Sequence, residues 1–360
     1  MSTQSAFSET NSDKSGHLRD ILSAAQTEYG LVGVGAVIAT PEDGILALAV
    51  TGARAKGGEP VAPGDAWHIG SNTKMLTALG WGRLVDAGGA RWGMTLGEIF
   101  EGDDLAPGWR DVTIEELLAH RSGAAANPGG FWMLGAGRNG EPVARQRAKL
   151  VDATLKQGPP GTRGAFVYSN LGYIIAGRAM EKVAGTGETY EQLMWRLVIK
   201  QAPDGAGRGF GFGPPKAIQG HKPTLLGGMK PAGFGQEADN APAFASAGTA
   251  HISLEGHARL LLSFLEGPDA LPAAMRQKLM TPYPDAASDY ALGWGVQTGK
   301  DGSKAYLHAG SNTMWLSQVV VLPEPGAVII VNTNQAGKDA DAAIRKLTGE
   351  LIEWVKTGTP

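Results

Sequence analysis

Hydrophobic positions along the chain repeat with two different periods, and their order predicts the layout of the molecule. Leu18, Ile21, Leu22 and Ala25 recur every three or four residues, the spacing of one face of an amphipathic helix running to Tyr29. Two short apolar runs follow, Val32 to Ile38 and Ile45 to Val50. The turn residues Pro41-Glu42-Asp43-Gly44 separate them, which predicts a β-hairpin. The end of the chain mirrors its beginning. Trp315 to Leu322 and Ala327 to Val331 read as strands around Pro323-Glu324-Pro325-Gly326, and Asp339 to Val355 reads as a helix. Helical spacing dominates the middle, over Ser71 to Asp86, Thr113 to His120, Arg145 to Leu155, Leu171 to Val183, Tyr190 to Ile199 and Leu254 to Glu266.

The expected fold class is therefore α/β in the α+β sense: an antiparallel sheet flanked by helices, with an inserted, mostly helical domain. The expected boundaries are a polar, frayed tail over 1–16, a sheet part over 17–70 and 250–360, and a helical part over 71–249. Between Gln201 and Ala243 the chain is rich in Gly and Pro, with Phe210, Phe212 and Phe234 scattered through it. A loop this long inside a compact fold is usually functional or mobile. Its three phenylalanines read more readily as packing than as a substrate wall.

Composition narrows the function classes. Of 360 residues, 42% are hydrophobic and 19% charged, ordinary values for a chain with a large core. A formal net charge of −3 gives no electrostatic reason to expect nucleic acid or an acidic membrane as partner. No stretch is long and apolar enough to span a bilayer. The tail from Met1 to Gly16 lacks the apolar segment of a secretory signal, so a cytoplasmic location is expected. Cysteine is absent, which removes disulfides, a thiolate nucleophile and thiolate-bound zinc together.

Three short motifs carry candidate chemistry. Ser71 and Lys74 lie three apart at the start of a helical run, so both side chains fall on one face. A serine hydroxyl becomes a nucleophile when a nearby base takes its proton, and a lysine serves once burial lowers its pKa. The helix N-terminus adds free backbone N–H groups suited to a developing oxyanion. By itself Ser-x-x-Lys arises by chance about once in a chain of this serine content. Tyr168-Ser169-Asn170 precedes the next helical run. Its tyrosine can shuttle a proton if Lys74 favours the phenolate, while the bland alternative is a helix cap by Ser169 or Asn170. The third motif, His308-Ala309-Gly310, is expected to lie immediately before the strand Trp315 to Leu322. Lys14-Ser15-Gly16 and Lys356-Thr357-Gly358 have the same basic-small-glycine form, but neither leads into a strand.

In this order the three motifs resemble the superfamily of serine β-lactamases, penicillin-binding proteins and family VIII esterases, in its class C-like branch. Trp67-His68-Ile69-Gly70, the run Leu117 to Gly123, and Tyr290-Ala291-Leu292-Gly293-Trp294-Gly295 are similar to its secondary marks. The resemblance runs from Leu18 to Val355. It implies an acyl-enzyme on Ser71, with Lys74 and Tyr168 sharing the general-base work and Tyr168 protonating the leaving group. It also implies that Asn170 holds Lys74 and contacts substrate, that His308 and Gly310 line the substrate strand, and that backbone N–H groups of Ser71 and Ser311 form the oxyanion hole. No cofactor or metal is called for.

Two departures shift the expected substrate. His308 stands where β-lactamases usually carry Lys, and Met314-Trp315 replaces an expected Gly-Phe pair. A mostly neutral imidazole holds a carboxylate poorly. The expected function is therefore hydrolysis of short or medium acyl esters, small molecules with uncharged acyl ends, with at most weak β-lactamase activity. The alternatives are a DD-peptidase, β-lactamase or amidase of the same fold, or a non-catalytic acyl-binding sensor. Other candidates are weaker. His251 and His257 lack zinc-ligand spacing around Glu255, Gly207 to Gly213 is no dinucleotide fingerprint, and no Gly-x-Ser-x-Gly elbow occurs.

Overall fold

Both ends of the chain contribute strands to one sheet. The computed structural model describes residues 3–130, 132, 140–224 and 228–359. The predicted hairpin is β1 (Gly33–Thr40) and β2 (Gly44–Gly52). Among the described residues five short strands lie outside the main sheet: β3 (Ala66–His68), β4 (Gly211–Phe212), the pair β5 (His221–Pro223) and β6 (Met229–Pro231), and β7 (Ala250–Ser253), which lies between β3 and β4. The last four strands are β8 (Gly295–Thr298), β9 (Lys304–Ser311), β10 (Leu316–Leu322) and β11 (Ala327–Thr333). The main sheet has the order β2-β1-β11-β10-β9-β8, antiparallel throughout.

Period-two alternation fixes what each face meets. Val34, Ala36 and Ile38 of β1 turn to one side, with Val320, Ile329 and Val331. There they pack on Leu18 and Leu22 of the helix Thr3–Tyr29 and on Leu347 and Leu351 of the helix Lys338–Thr357. Val37, Ala39, Val319, Val321 and Ile330 turn to the other side. They join a core that includes the helix Leu254–Leu262 and runs into the central helices around Trp81, Leu117 and Ile174. The predicted central helices occur over Thr73–Asp86, Ile114–Leu118, Val143–Leu155, Asn170–Ala184 and Tyr190–Met194. Buried Arg147 pairs with both Glu181 and Glu191 and so ties three of these helices together.

Four expectations need correction. The tail expected to fray belongs, from Thr3, to the first helix, and Met1 and Ser2 lie outside the described residues. Polar residues do not oppose a helix, and here Ser15 accepts the Leu48 N–H while His17 packs edge-on against Trp354. His308-Ala309-Gly310 does come before the expected strand, β10, but it is not a lead-in to it: the motif lies near the end of a further strand, β9, which pairs with β10. The inward positions of β9 are Tyr306, His308 and Gly310, so their polarity hid the alternation. The helix expected over Tyr190 to Ile199 widens after Met194, where Lys200 N–H reaches back five residues to Trp195. The Gly- and Pro-rich stretch is not one open loop, because it holds β4 to β6 and short helical turns; residues 225–227 lie outside the described set. Among the described residues no helix is long and apolar enough to cross a membrane.

His257, set aside above as a metal ligand, is wholly buried in the Leu254–Leu262 helix, and neither ring nitrogen has a hydrogen-bond partner among the described residues. Burial pushes its pKa down to about 3. The unfolded chain, with an ordinary histidine, takes up this proton first, so stability is complete above about pH 6.5 and falls as pH drops toward the folded value. The loss approaches roughly 1.4 kcal/mol per pH unit in that window. His257→Leu should therefore resist acid more than the parent, with the gap in denaturation midpoint widening from pH 6.5 to pH 4. An equal gap at all pH values would contradict this.

Candidate active site

The geometry around Ser71 begins with two glycines. Ser71 lies in the tight turn Gly70–Asn72 that opens into the helix Thr73–Asp86. Gly70 has φ of +50°, and a Cβ there would sit 2.4 Å from Ser311 N. From the opposite side, a Cβ on Gly310 would sit 1.9 Å from Ile69 O and 2.9 Å from Ser71 N. Only glycines let the end of β9 approach the serine turn this closely. The backbones of Ser71 and Ser311 thereby meet at one seam, beside a hydroxyl that remains half-buried and accessible. The Ser311 hydroxyl itself is committed to the β9–β10 hairpin, donating to Trp315 O at 2.7 Å.

Lys74 is completely buried. Its Nζ lies 2.7 Å from Asn170 Oδ1, 2.7 Å from Ala247 O and 3.0 Å from Ser71 Oγ. The first two can only accept. They use two N–H bonds, and the remaining tetrahedral direction faces the serine hydroxyl. A neutral amine then places its lone pair on the Ser71 proton. Burial lowers the Lys74 pKa well below the ordinary value, which favours that neutral form. Asn170 is oriented for the task because its Nδ2 donates to Asn127 Oδ1 at 2.8 Å. Ser169 takes the capping role, accepting Gly172 N–H at 2.8 Å, so the cap and the chemistry fall to adjacent residues.

Tyr168 completes the cluster. Its ring lies 4.8 Å from Lys74 Nζ, and burial pushes its pKa up to about 12, against the opposing effect of a hydrogen bond with Ser71. Burial thus favours a neutral phenol, against the condition, a phenolate favoured by Lys74, under which the sequence allowed Tyr168 to shuttle a proton. Lys74 is the stronger candidate for base, and Tyr168 for the group that hands a proton on.

His308 does not face substrate as a cation. Its Nδ1 lies 3.2 Å from Asn72 Oδ1 and 3.0 Å from Ala309 O, both acceptors, so Nδ1 carries the proton. Nε2 then accepts from the Tyr290 hydroxyl at 3.2 Å. On the other side of Tyr290, His120 Nδ1 accepts Ser169 N–H at 3.0 Å, leaving Nε2–H to donate to Tyr290 at 3.2 Å. Burial pushes His308 down to about 3, with the nearby Lys74 acting in the same direction, and holds His120 well below its ordinary value. Both imidazoles are neutral, single tautomers. His120 also has φ of +62° and stacks on Tyr168 with ring centroids 4.3 Å apart.

Sequence reasoning left Asn72, His120, Tyr290 and the Ala247 carbonyl out of the site. The first lies inside Ser71-Asn72-Thr73-Lys74, and the next two lie inside runs already quoted as secondary marks. A backbone carbonyl has no sequence signal. Met314 and Trp315 are buried, with Trp315 packed against Trp67 and His68, and fill core rather than line the cleft. Phe210 and Phe212 meet edge-on, as do Phe212 and Tyr190, the packing role expected of them, whereas Phe234 is exposed and does not take it.

A protonated Lys74 has no lone pair, so kcat/KM should rise with pH through the lowered lysine pKa and stay level until Tyr168 ionises near pH 12. Lys74→Arg, which stays charged, should lose about 10³-fold or more across the whole pH range. An activity unaffected by that change would exclude Lys74 as base.

The profile of the family described as Beta-lactamase matches residues 18–351. None of the curated proteins compared with the chain matches it. Among solved structures, D-amino acid amidase from Ochrobactrum anthropi SV3 is 19% identical with a TM-score of 0.74, covering 96% of this chain and 99% of that one. A penicillin binding protein from Bacillus halodurans is 22% identical with a TM-score of 0.71, over 91% and 98%. A beta-lactamase/D-alanine carboxypeptidase from Yersinia pestis is 19% identical with a TM-score of 0.69, over 93% and 98%. At these identities the likeness is one of fold, while the profile match spans nearly the whole chain. With its serine, lysine and tyrosine gathered at one seam, the chain belongs to the Beta-lactamase family of serine hydrolases.

Proposed function

We propose that the protein is a carboxylic-ester hydrolase that turns over small esters with short or medium, uncharged acyl ends through an acyl-enzyme on Ser71. Lys74 takes the Ser71 proton as Oγ attacks the ester carbonyl, and the N–H groups of Ser71 and Ser311 receive the oxyanion. As the intermediate collapses, Tyr168 gives its proton to the departing alkoxide and regains one from Lys74. Water then attacks the acyl-enzyme with the proton path reversed, releasing the acid and restoring Ser71.

The observation that carries the ester reading is His308. Both its nitrogens are occupied inside the protein and its charge is suppressed, so it offers a substrate carboxylate neither a cation nor a free N–H. Phe166 and Val167, 43% and 40% exposed, add an apolar lip beside Tyr168 where the leaving group departs. A second reading, hydrolysis of an amide or peptide, draws support from the names of the amidase and carboxypeptidase that share the fold. A neutral Tyr168 could also protonate an amine leaving group.

Ser71→Ala should reduce turnover of a chromogenic short-chain ester by about 10³-fold or more. Unchanged hydrolysis would remove Ser71 from the mechanism. For the parent protein, kcat/KM on that ester should exceed the values on a chromogenic cephalosporin and on a D-amino acid amide by at least about tenfold, equivalent to about 1.4 kcal/mol of transition-state binding. The reverse order would assign the amidase or β-lactamase reading instead.

A further inference from the structure

The Gly- and Pro-rich stretch contains a residue pair that touches three segments around the site, at His68, Asn312 and Gly248, without reaching its chemistry. Asp239 is buried, with 3% of its side chain exposed. Its Oδ1 accepts from His68 Nε2 at 2.8 Å, from Asn312 Nδ2 at 3.1 Å and from Asn240 N–H at 2.7 Å. His68 has its proton on Nε2 because its Nδ1 accepts the Gly70 N–H at 3.1 Å, and that peptide leads directly into Ser71. Asn312 follows Ser311, and its own Oδ1 accepts Met314 N–H at 3.2 Å, which fixes its amide orientation. Next to Asp239, Asn240 Nδ2 donates to Gly248 O at 3.3 Å, one residue past the Ala247 carbonyl that holds Lys74.

Resting on the reading of Ser71 and Ser311 as the oxyanion donors, we propose that Asp239 is a positioning residue that sets the spacing of the oxyanion hole. The two donors come from segments distant in sequence, and each is useful only where charge develops on the substrate. One carboxylate oxygen holds a neighbour of each donor, His68 on the nucleophile side and Asn312 on the strand side. The glycine seam allows the segments to approach, and the Asp239 clamp decides where they stop. Asp239 acts through the oxygen it shares, because its Oδ2 is buried with no partner among the described residues, while Oδ1 meets both side-chain donors. An asparagine keeps an acceptor at that place.

The test is steady-state kinetics on a chromogenic short-chain ester, with melting temperatures as a check on folding. Asp239→Ala should lower kcat by about 10- to 100-fold, less than the full loss of an oxyanion donor, with KM within about threefold. Asp239→Asn should recover most of that loss. Asn312→Ala, which releases only the Ser311 side, should fall between. Parent-like kcat in Asp239→Ala, an Asp239→Asn as impaired as the alanine variant, or KM rising in step with falling kcat would each overturn the proposal. If Asp239→Ala does not fold, Asn312→Ala decides: an undiminished kcat overturns the clamp and a selective kcat loss supports it. Ser71→Ala in the same assay separates the two ideas. Activity surviving that change would defeat the Ser71 reading, whereas its abolition beside a fully active Asp239→Ala would defeat the clamp alone.

Discussion

A lysine buried without a carboxylate among its hydrogen-bond partners is the constraint on which the site depends. Leaving such an amine charged is costly in a water-excluded interior, so the fold favours the neutral base. The arrangement works because two acceptors from separate segments, the Asn170 amide and the Ala247 carbonyl, take the amine protons. Each segment must then be held firmly. The Asn170 helix is fixed by its Ser169 cap, by the Asn127 contact and by the buried Arg147 pairs behind it. The Ala247 segment packs against the Ser71 turn, where Thr73 Oγ1 accepts Ala250 N–H and donates to Gly70 O.

The same economy of charge extends across the cleft. His120, Tyr290, His308 and Asn72 form a line in which every donor meets an acceptor and both imidazoles remain neutral. A cation at His308 would have to displace the Tyr290 proton from Nε2, and it would stand near Lys74. The histidine that replaces a lysine in the third motif is therefore more than a weaker cation. It belongs to the framework that holds Tyr168 and the serine turn, beside which Phe166 and Val167 form an exposed apolar lip.

Much of this was legible in the chain itself. Period-two and helical spacings placed the two hairpins and most helices within a few residues, because burial imposes those periods directly. Ser71, Lys74, Tyr168 and Asn170 were visible as motifs because chemistry restricts residue type. Strand β9 was missed because its inward positions are Tyr306, His308 and Gly310, chosen for the site rather than for apolar burial. The first turns of the N-terminal helix were missed because a polar segment shows no amphipathic stripe.

The sequence by itself determined the class of fold, the Ser-x-x-Lys, Tyr-x-Asn and His-x-Gly motifs, and the absence of thiol chemistry, since each follows from residue identity and local spacing. Tertiary structure alone decided the protonation states. A lysine, a tyrosine and two histidines take their pKa values from burial and from partners far away in the chain, and no local pattern encodes either. It likewise decided that Asp239, an ordinary acidic residue in a Gly- and Pro-rich stretch, meets both His68 and Asn312. That meeting depends on how the chain closes on itself, a property of the packed whole.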